Sequence, residues 1–390
     1  MKIVHIVPSF GKQSYGLGSI SMGLAKAQLD TGADVSVWSL DMEEDVLWAS
    51  QTYNFPKDKL FGFPPNIPLI KTSRAEVSKA LKDKSFDIVH QHSLWTSQSL
   101  ITSILRKNGA KSIIAPHGTL SEFALGKSKL KKDIALSLFE RKNLEKSSVL
   151  HATSEYEIED FKRLGLNNPI AYIENGVGSE ILEMKGNGEQ FKEKYNLPKD
   201  KKILLYLSRI TPKKGLDMLI PAISELKDDF RDWVLVIVGN DEFNYQREVI
   251  EIIDKYNLRN KVFIIEPQYG NAKFDVFDAS NFFILPSYSE GSPMVVVDAL
   301  AYGLPVITTK SSSWNDLNKY QCGYWVDIKE VEIKKALEKM VNLSEEELIL
   351  YSKNAVKLVG EKYLWDEISQ KTIEMYKWLA YNENKPNFIY

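Results

Sequence analysis

Leu285-Pro286-Ser287-Tyr288-Ser289-Glu290-Gly291-Ser292-Pro293-Met294-Val295-Val296-Val297-Asp298-Ala299-Leu300-Ala301-Tyr302-Gly303-Leu304-Pro305-Val306-Ile307-Thr308-Thr309 is the stretch that decides the fold. An apolar strand ends at Leu285 and a polar loop follows. A short apolar helix then runs over Pro293–Tyr302, and a second strand begins at Pro305. Ser292 is expected to cap the helix, with Pro293 at its first position, where a missing N–H does no harm. The first turn leaves the amides of Met294 and Val295 without intrahelical acceptors, and the helix dipole makes that end an anion site. Gly291 allows a ligand to approach the backbone, and Gly303 ends the helix. This order predicts a right-handed parallel β-α-β unit. Open sheets of that kind bind ligands at the carboxyl ends of their strands.

Two acids flank the turn, Glu290 and Asp298. The pairing is weak evidence alone, because 52 of the 390 residues are acidic. Asp298 lies among Val297, Ala299 and Leu300, so it is expected to be largely buried, and a buried carboxylate needs partners. Vicinal hydroxyls would serve. A second cluster is Leu207-Ser208-Arg209-Ile210-Thr211-Pro212-Lys213-Lys214-Gly215-Leu216-Asp217. A strand ends near Leu207 and a helix starts near Gly215. That places Arg209 and Lys214 at a strand's carboxyl end, in the same layer as the Glu290 loop. Arginine offers phosphate a bidentate fork, and lysine a mobile point charge. An ordinary solvated loop is the competing reading of the same residues.

The same alternation extends outward. Candidate strands are Lys2–Val7, Asp34–Leu40, Phe86–His90, Ser112–Ala115, Val149–Ala152 and Ala171–Ile173, then Lys202–Leu207, Trp233–Val238, Val262–Ile265, Phe282–Leu285 and Pro305–Thr308. Amphipathic helical patterns separate them, including Leu17–Thr31, Trp95–Lys107, Lys129–Lys146, Glu155–Leu164, Leu216–Leu226, Tyr245–Tyr256 and Ala272–Ala279. Two such series predict two doubly wound α/β domains. Asn175-Gly176-Val177-Gly178, Gly186-Asn187-Gly188 and Pro198 mark a linker over Glu174–Pro198. Leu364–Ala380 reads as a further amphipathic helix. The expected division is residues 1–174, 175–364 and a helical tail, 365–390.

Composition excludes several classes. Fifty basic and 52 acidic residues give a net charge of −2, without the basic excess typical of nucleic-acid binders. The single cysteine, Cys322, rules out an internal disulfide framework. Met1–Pro8 lacks the apolar length of an export signal, and no apolar run approaches a membrane span. A cytoplasmic location is expected, with no nucleic-acid partner. Charge is uneven along the chain: residues 1–170 carry +4 and the remainder −6. Lys127–Lys146 holds seven basic and three acidic residues, with Leu130, Ile134, Leu138 and Arg141 on one helical face. It reads either as a core-packed helix with a solvated basic face or as a surface for anionic lipid, at the inner face of the cytoplasmic membrane, or for an acceptor bearing phosphates.

Together the clusters resemble retaining nucleotide-sugar glycosyltransferases of family 4 (glycosyltransferase group 1), which have the two-domain GT-B architecture. The resemblance covers nearly the whole chain. The family's Glu-(seven residues)-Glu pattern, preceded by Pro-Ser and followed by Gly-Leu-Pro-Val-Ile, stands here as Glu290 and Asp298, the second acid one methylene short. Ser208, Arg209, Lys214 and Gly215 match a further run. Tyr15-Gly16-Leu17-Gly18-Ser19 is similar to the family's glycine-rich loop near donor phosphate, and Ala115-Pro116-His117-Gly118 to its Pro-His-Gly element. Ile173-Glu174-Asn175-Gly176-Val177-Gly178 looks like an interdomain run. The segment 117–155 is similar to enzymes of bacterial surface polysaccharide and lipopolysaccharide synthesis.

The resemblance implies two facing Rossmann-like domains, with the C-terminal helix crossing back to the first. It also implies a donor site of Gly16, Gly18, Arg209, Lys214, Glu290, Gly291, Ser292, Pro293, Met294, Val295 and Asp298. Arg209 and Lys214 would hold the diphosphate of a UDP- or GDP-type sugar, Glu290 and His117 the sugar, and Asp298 the ribose. The acceptor would be a glycan or a lipid-linked glycan. The nucleotide sugar is a substrate, and no cofactor is expected. Base contacts would fall near Phe263–Tyr269, where Glu266 replaces a usual glycine.

His5 and His151 sit in apolar strands and are expected to be core residues with satisfied partners. His90 and His92, at a strand's end, form a possible metal pair with no third ligand near in sequence. No Asp-x-Asp occurs, so the transfer is expected to be metal-independent. Two alternatives remain. Gly16-x-Gly18 with Asp41 invites an NAD(P)-dependent oxidoreductase, but eight residues from Pro8 to Tyr15 separate the strand from the first glycine. A non-catalytic sugar-nucleotide-binding protein would accommodate the shortened Asp298.

Overall fold

The computed structural model describes residues 1–12, 14–63, 81 and 84–390. They divide into two compact units, Met1–Gly178 with Leu364–Tyr390, and Ser179–Tyr363. Each unit is built on one all-parallel sheet, as expected from apolar β-branched runs separated by helical crossovers.

In the first unit the strands are β1 (Lys2–Ile6), β2 (Asp34–Ser39), β3 (Leu60–Gly62), β4 (Ile88–His92), β5 (Lys111–Ala115), β6 (Val149–Ala152) and β7 (Ile170–Tyr172), in the order β3-β2-β1-β4-β5-β6-β7. The order reverses between β1 and β4, which makes that crevice the switch point. Every residue of β4 is buried, because helices cover both faces. The chain returns after the second unit as helix Trp365–Tyr381, packed on helix Tyr15–Asp30. A Cβ on Gly23 would lie 2.5 Å from the Trp365 indole nitrogen, and one on Gly176 2.7 Å from the same ring, so glycine admits the tryptophan at both places. The last residues cover the exposed edge of β7, where Tyr390 and Ile170 exchange backbone hydrogen bonds of 2.8 and 3.2 Å.

In the second unit β8 (Lys202–Leu207), β9 (Trp233–Val238), β10 (Val262–Ile265), β11 (Phe282–Leu285), β12 (Val306–Thr309) and β13 (Gly323–Val326) are ordered β10-β9-β8-β11-β12-β13. Here the reversal falls between β8 and β11, the two strands whose following loops carry the clusters singled out in the sequence.

Three readings need correction. Gly186 and Gly188 are not free linker. They flank Asn187, which caps helix Gly188–Lys194 by accepting from Gln190 N at 3.0 Å. A Cβ on Gly186 would lie 2.2 Å from the Phe274 carbonyl oxygen, so these glycines serve close packing on helix Asn271–Asp278. The basic segment is not one helix. Helix Lys129–Ala135 passes into a π turn, Leu136–Glu140, before Arg141–Glu145. The widened turn re-aims Glu140 inward, where it is fully buried. Nor is its apolar face core-packed: Leu130, Ile134 and Leu138 are 74%, 50% and 72% exposed. Among the described residues no helix is long and apolar enough to cross a membrane.

Candidate active site

At the β8/β11 switch point the two loops are sewn together. Tyr288 N donates to the Lys213 carbonyl at 2.9 Å. Gly215 has φ +73° and its absent Cβ would fall 2.0 Å from the Pro286 carbonyl oxygen, so only glycine fits. This turn directs Lys214 inward. Its ammonium donates to Glu290 Oε1 at 2.6 Å, both side chains being over nine-tenths buried. Ser287 Oγ donates to the same oxygen at 2.5 Å. Lys214 and Glu290, 76 residues apart in sequence, thus form one charged pair at the strand ends. Arg209 is half exposed and pairs with Glu242 at 2.8 Å.

Helix Met294–Ala301 begins one residue later than expected. Pro293 occupies the capping position with an extended backbone, and no side chain caps the helix. Ser292 is therefore outside the capping position, and the first-turn amides of Met294 and Val295 have no capping oxygen. Asp298 is 16% exposed and bonds Lys273 Nζ at 2.7 Å. The partner its burial demanded is a lysine from helix Asn271–Asp278, which no sequence spacing announced. Glu266 accepts from Tyr195 OH at 2.5 Å.

The first unit's strand ends carry a different chemistry. Phe10 N and Gly11 N both donate to Asp41 Oδ2, at 2.6 and 3.3 Å. Asp41 therefore folds down the loop after β1, which accounts for the acid that invited a dinucleotide reading. Gly16 and Gly18 lie in the first turn of helix Tyr15–Asp30, not in the preceding loop. A Cβ on Gly18 would meet Ser14 Oγ at 2.0 Å, whereas one on Gly16 would enter open space.

All five histidines of the chain form one network in this unit. His5 (β1) is paired in register with His90 (β4), His92 follows on the same face, His117 lies just beyond β5, and His151 is on β6. Adjacent rings are 4.4 to 5.3 Å apart. Burial drives the imidazoles of His5 and His151 down to about 4 and that of His117 to about 3. Burial, then the neighbouring imidazoles, push His90 and His92 well below the usual range. His90 and His92, at the carboxyl end of β4, are fully buried.

His5 supplies the third nitrogen that sequence spacing did not: its ring and those of His90 and His92 bring nitrogens within 4.8 Å of one another. Each of the three rings, however, already uses both nitrogens in hydrogen bonds. A metal ion would have to break that network to bind.

The turn bearing His117 runs through φ +53° and Gly118 at +75°. Glu157 holds it, accepting from Gly118 N at 2.6 Å and from Thr153 N and Oγ1 at 2.8 and 2.7 Å. Two buried ring nitrogens at adjacent strand ends have no partner among the described residues, His117 Nδ1 and Trp95 Nε1. Unpaired buried polar atoms call for an explanation, and a ligand supplies one. Trp95, with φ +74°, was not legible as a site residue. Its backbone N–H donates to Glu140 at 2.9 Å, so the π turn that buries Glu140 also sets this tryptophan.

Two family models match the chain: "Glycosyl transferases group 1" over residues 187–357 and "Glycosyltransferase Family 4" over residues 16–180. The chain is 26% identical over 314 residues to the UDP-Gal:alpha-D-GlcNAc-diphosphoundecaprenol alpha-1,3-galactosyltransferase of Escherichia coli, covering 74% of this chain and 75% of that protein. It is 28% identical over 248 residues to TuaC of Bacillus subtilis, a putative teichuronic acid biosynthesis glycosyltransferase, covering 60% and 56%. The matched stretches span 34% to 56% of the length of the first three curated relatives. Anabaena HepE, solved with UDP and glucose, has the same fold, with a TM-score of 0.73 at 17% identity, covering 96% of this chain and 99% of that one.

Proposed function

This chain belongs to the group 1, family 4 glycosyltransferases, and from that membership we propose that it moves a sugar from a nucleoside diphosphate sugar to a glycan or lipid-linked acceptor, with retention of anomeric configuration and without a metal ion. The observation that carries this reading is the Lys214–Glu290 pair at the β8/β11 switch point, next to the uncapped start of helix Met294–Ala301. A diphosphate there meets a lysine, the first-turn amides and Arg209, whose partner Glu242 is on the surface and cheaply exchanged. The UDP in the HepE structure and the UDP-sugar and lipid diphosphate in the Escherichia coli relative's name support a UDP-type donor and a lipid-linked acceptor.

In the transfer, the bond from the anomeric carbon to the phosphate oxygen breaks and the acceptor oxygen bonds to that carbon on the same face. The departing phosphate oxygen takes the acceptor proton, so no side-chain base is required. Lys214, Arg209 and the Met294 and Val295 amides stabilise the charge that develops on the phosphate. Glu290 and His117 orient sugar hydroxyls, and Asp298 takes the ribose. The exposed Leu130, Ile134 and Leu138, flanked by Lys127, Lys129, Lys131 and Lys132, support contact with anionic lipid at the inner membrane face.

Thermal-shift screening against UDP, GDP, ADP and their sugars identifies the donor. With that donor, Arg209→Ala, Lys214→Ala and Glu290→Ala should each lose most turnover, and full activity in any two would sink the assignment. Tight binding without turnover on any acceptor would instead mark a binding protein. Vesicles containing phosphatidylglycerol should sediment the wild type and not a Leu130→Ser, Leu138→Ser double variant.

A further inference from the structure

The buried histidines form one continuous wire with Tyr376 and Gln28, and its direction is fixed from one end. The Ile173 carbonyl has no hydrogen, so His151 Nε2, 2.8 Å away, must donate to it. A neutral His151 then has a bare Nδ1, which must accept from His90 Nε2 at 3.1 Å. His90 Nδ1 in turn accepts from the Tyr376 hydroxyl at 2.6 Å. Tyr376 has no second hydrogen, so its oxygen accepts from Gln28 Nε2 at 3.3 Å, and Thr372 Oγ1 accepts from the same nitrogen at 3.1 Å. That orients the Gln28 amide and turns its oxygen to His5 Nε2, which donates at 2.8 Å. His5 Nδ1 therefore accepts from His92 Nε2 at 2.9 Å, and His92 Nδ1 from His117 Nε2 at 3.0 Å. Only His117 Nδ1 is left, buried and without a partner among the described residues.

We infer that His117 is locked as the Nε2–H tautomer, so that its Nδ1 is a bare acceptor awaiting a hydrogen-bond donor, with Gln28, oriented jointly by Tyr376 and Thr372, as the remote positioning residue. Seven hydrogen bonds run in one sense from the Ile173 carbonyl to His117, and Thr372, whose hydroxyl donates to its own helix, fixes the Gln28 amide in the same sense. The group that fits is a hydroxyl, and taking it for the donor sugar's hydroxyl rests on the glycosyl-transfer reading. His117 then orients that hydroxyl and holds no proton for the reaction. Nothing in the primary sequence links Gln28 or Tyr376 to that role, since the wire passes from helix Tyr15–Asp30 through the C-terminal helix.

Two-bond proton–nitrogen correlation spectra of the nitrogen-15-labelled full chain test this directly. All five rings should show protonated Nε2 and bare Nδ1 at about pH 7, with His117 identified by the signal lost in His117→Phe. Among the described residues Gln28 is the one joint between the two halves, so Gln28→Leu should give His117 a mixture of tautomers. It should also lower turnover roughly three- to tenfold, the worth of one hydrogen bond, while UDP affinity holds. Tyr376→Phe should keep the wild-type tautomer, because Thr372 still orients the Gln28 amide. Protonated Nδ1 on His117 in the wild type, or an unchanged tautomer in Gln28→Leu, would overturn the wire. The expected tautomers in a protein that turns over no nucleotide sugar would leave the wire standing and remove the glycosyl-transfer reading.

Discussion

At the β8/β11 crevice, Lys214–Glu290, Lys273–Asp298 and Arg209–Glu242 place three ion pairs around the strand ends. At the β1/β4 crevice of a sheet with the same reversal, the corresponding network consists of neutral imidazoles, an amide and hydroxyls. The difference follows from what each can do. Arg209, half exposed, can exchange its internal partner for a ligand phosphate. A network sealed beneath two helices cannot let water in to solvate charge, and an unpaired charge there would cost several kcal/mol. Orientation is what such a network can deliver at low cost.

Acid should break this contrast most severely. The sign follows from linkage. A histidine whose folded value lies below its unfolded value of about 6.5 gives stability that is fully present above 6.5 and lost as pH falls towards the folded value. His5 and His151 fall to about 4, so the window runs from about pH 6.5 to 4. Each fully buried histidine should cost close to 2 kcal/mol between pH 7 and 5. His5, His90, His92 and His151 together approach the whole stability of a typical domain. Circular dichroism against pH should show cooperative loss of structure in that range, and a flat profile down to pH 4 would mean the histidines are not held neutral.

Lys214→Ala comes next. Losing a donor aimed at developing charge commonly costs about 10²–10³ in kcat, whereas the neutral wire contributes about one hydrogen bond. Steady-state rates of Lys214→Ala and Gln28→Leu should therefore differ by at least tenfold. Equal losses would mean that the two crevices are not specialised as their chemistry implies.

The charged crevice was largely readable in advance, and the neutral one was not. Arg209, Lys214, Glu290 and the helix start stand in two short loops, where turn residues and strand ends announce themselves locally. Both alternating series were likewise visible, apart from β3 and β13, whose three and four residues include Gly62 and Gly323 and give little period. Beyond the His90/His92 pair, the histidines were visible only one at a time. Their partnership depends on register across β1, β4, β5 and β6, and on Gln28 and Tyr376 from helices 348 residues apart. Ala115 shows the limit well. It stands opposite His92 on β5, the strand between β4 and β6. An alanine at a strand end carries no signal of its own.

The smallest effect expected is at Asp298, and it asks whether the charged crevice tolerates exchange of partners as the comparison supposes. Its pair with Lys273 is partly solvated, the lysine side chain being 26% exposed. Asp298→Asn should therefore lower thermal stability by no more than about 1 kcal/mol. If Asp298 takes the ribose as proposed, nucleotide affinity, read by calorimetry with UDP, should weaken a few-fold, roughly the worth of one hydrogen bond to a charged group. Lys273→Met separates the two roles. It leaves stability changed by a similar amount, but it also frees the carboxylate from its internal partner. If Asp298 exchanges Lys273 for ribose hydroxyls, affinity in Lys273→Met should hold or rise. If Lys273 is needed to keep the carboxylate in place, affinity should fall as far as in Asp298→Asn, and the pair is then a fixed support and not an exchangeable one.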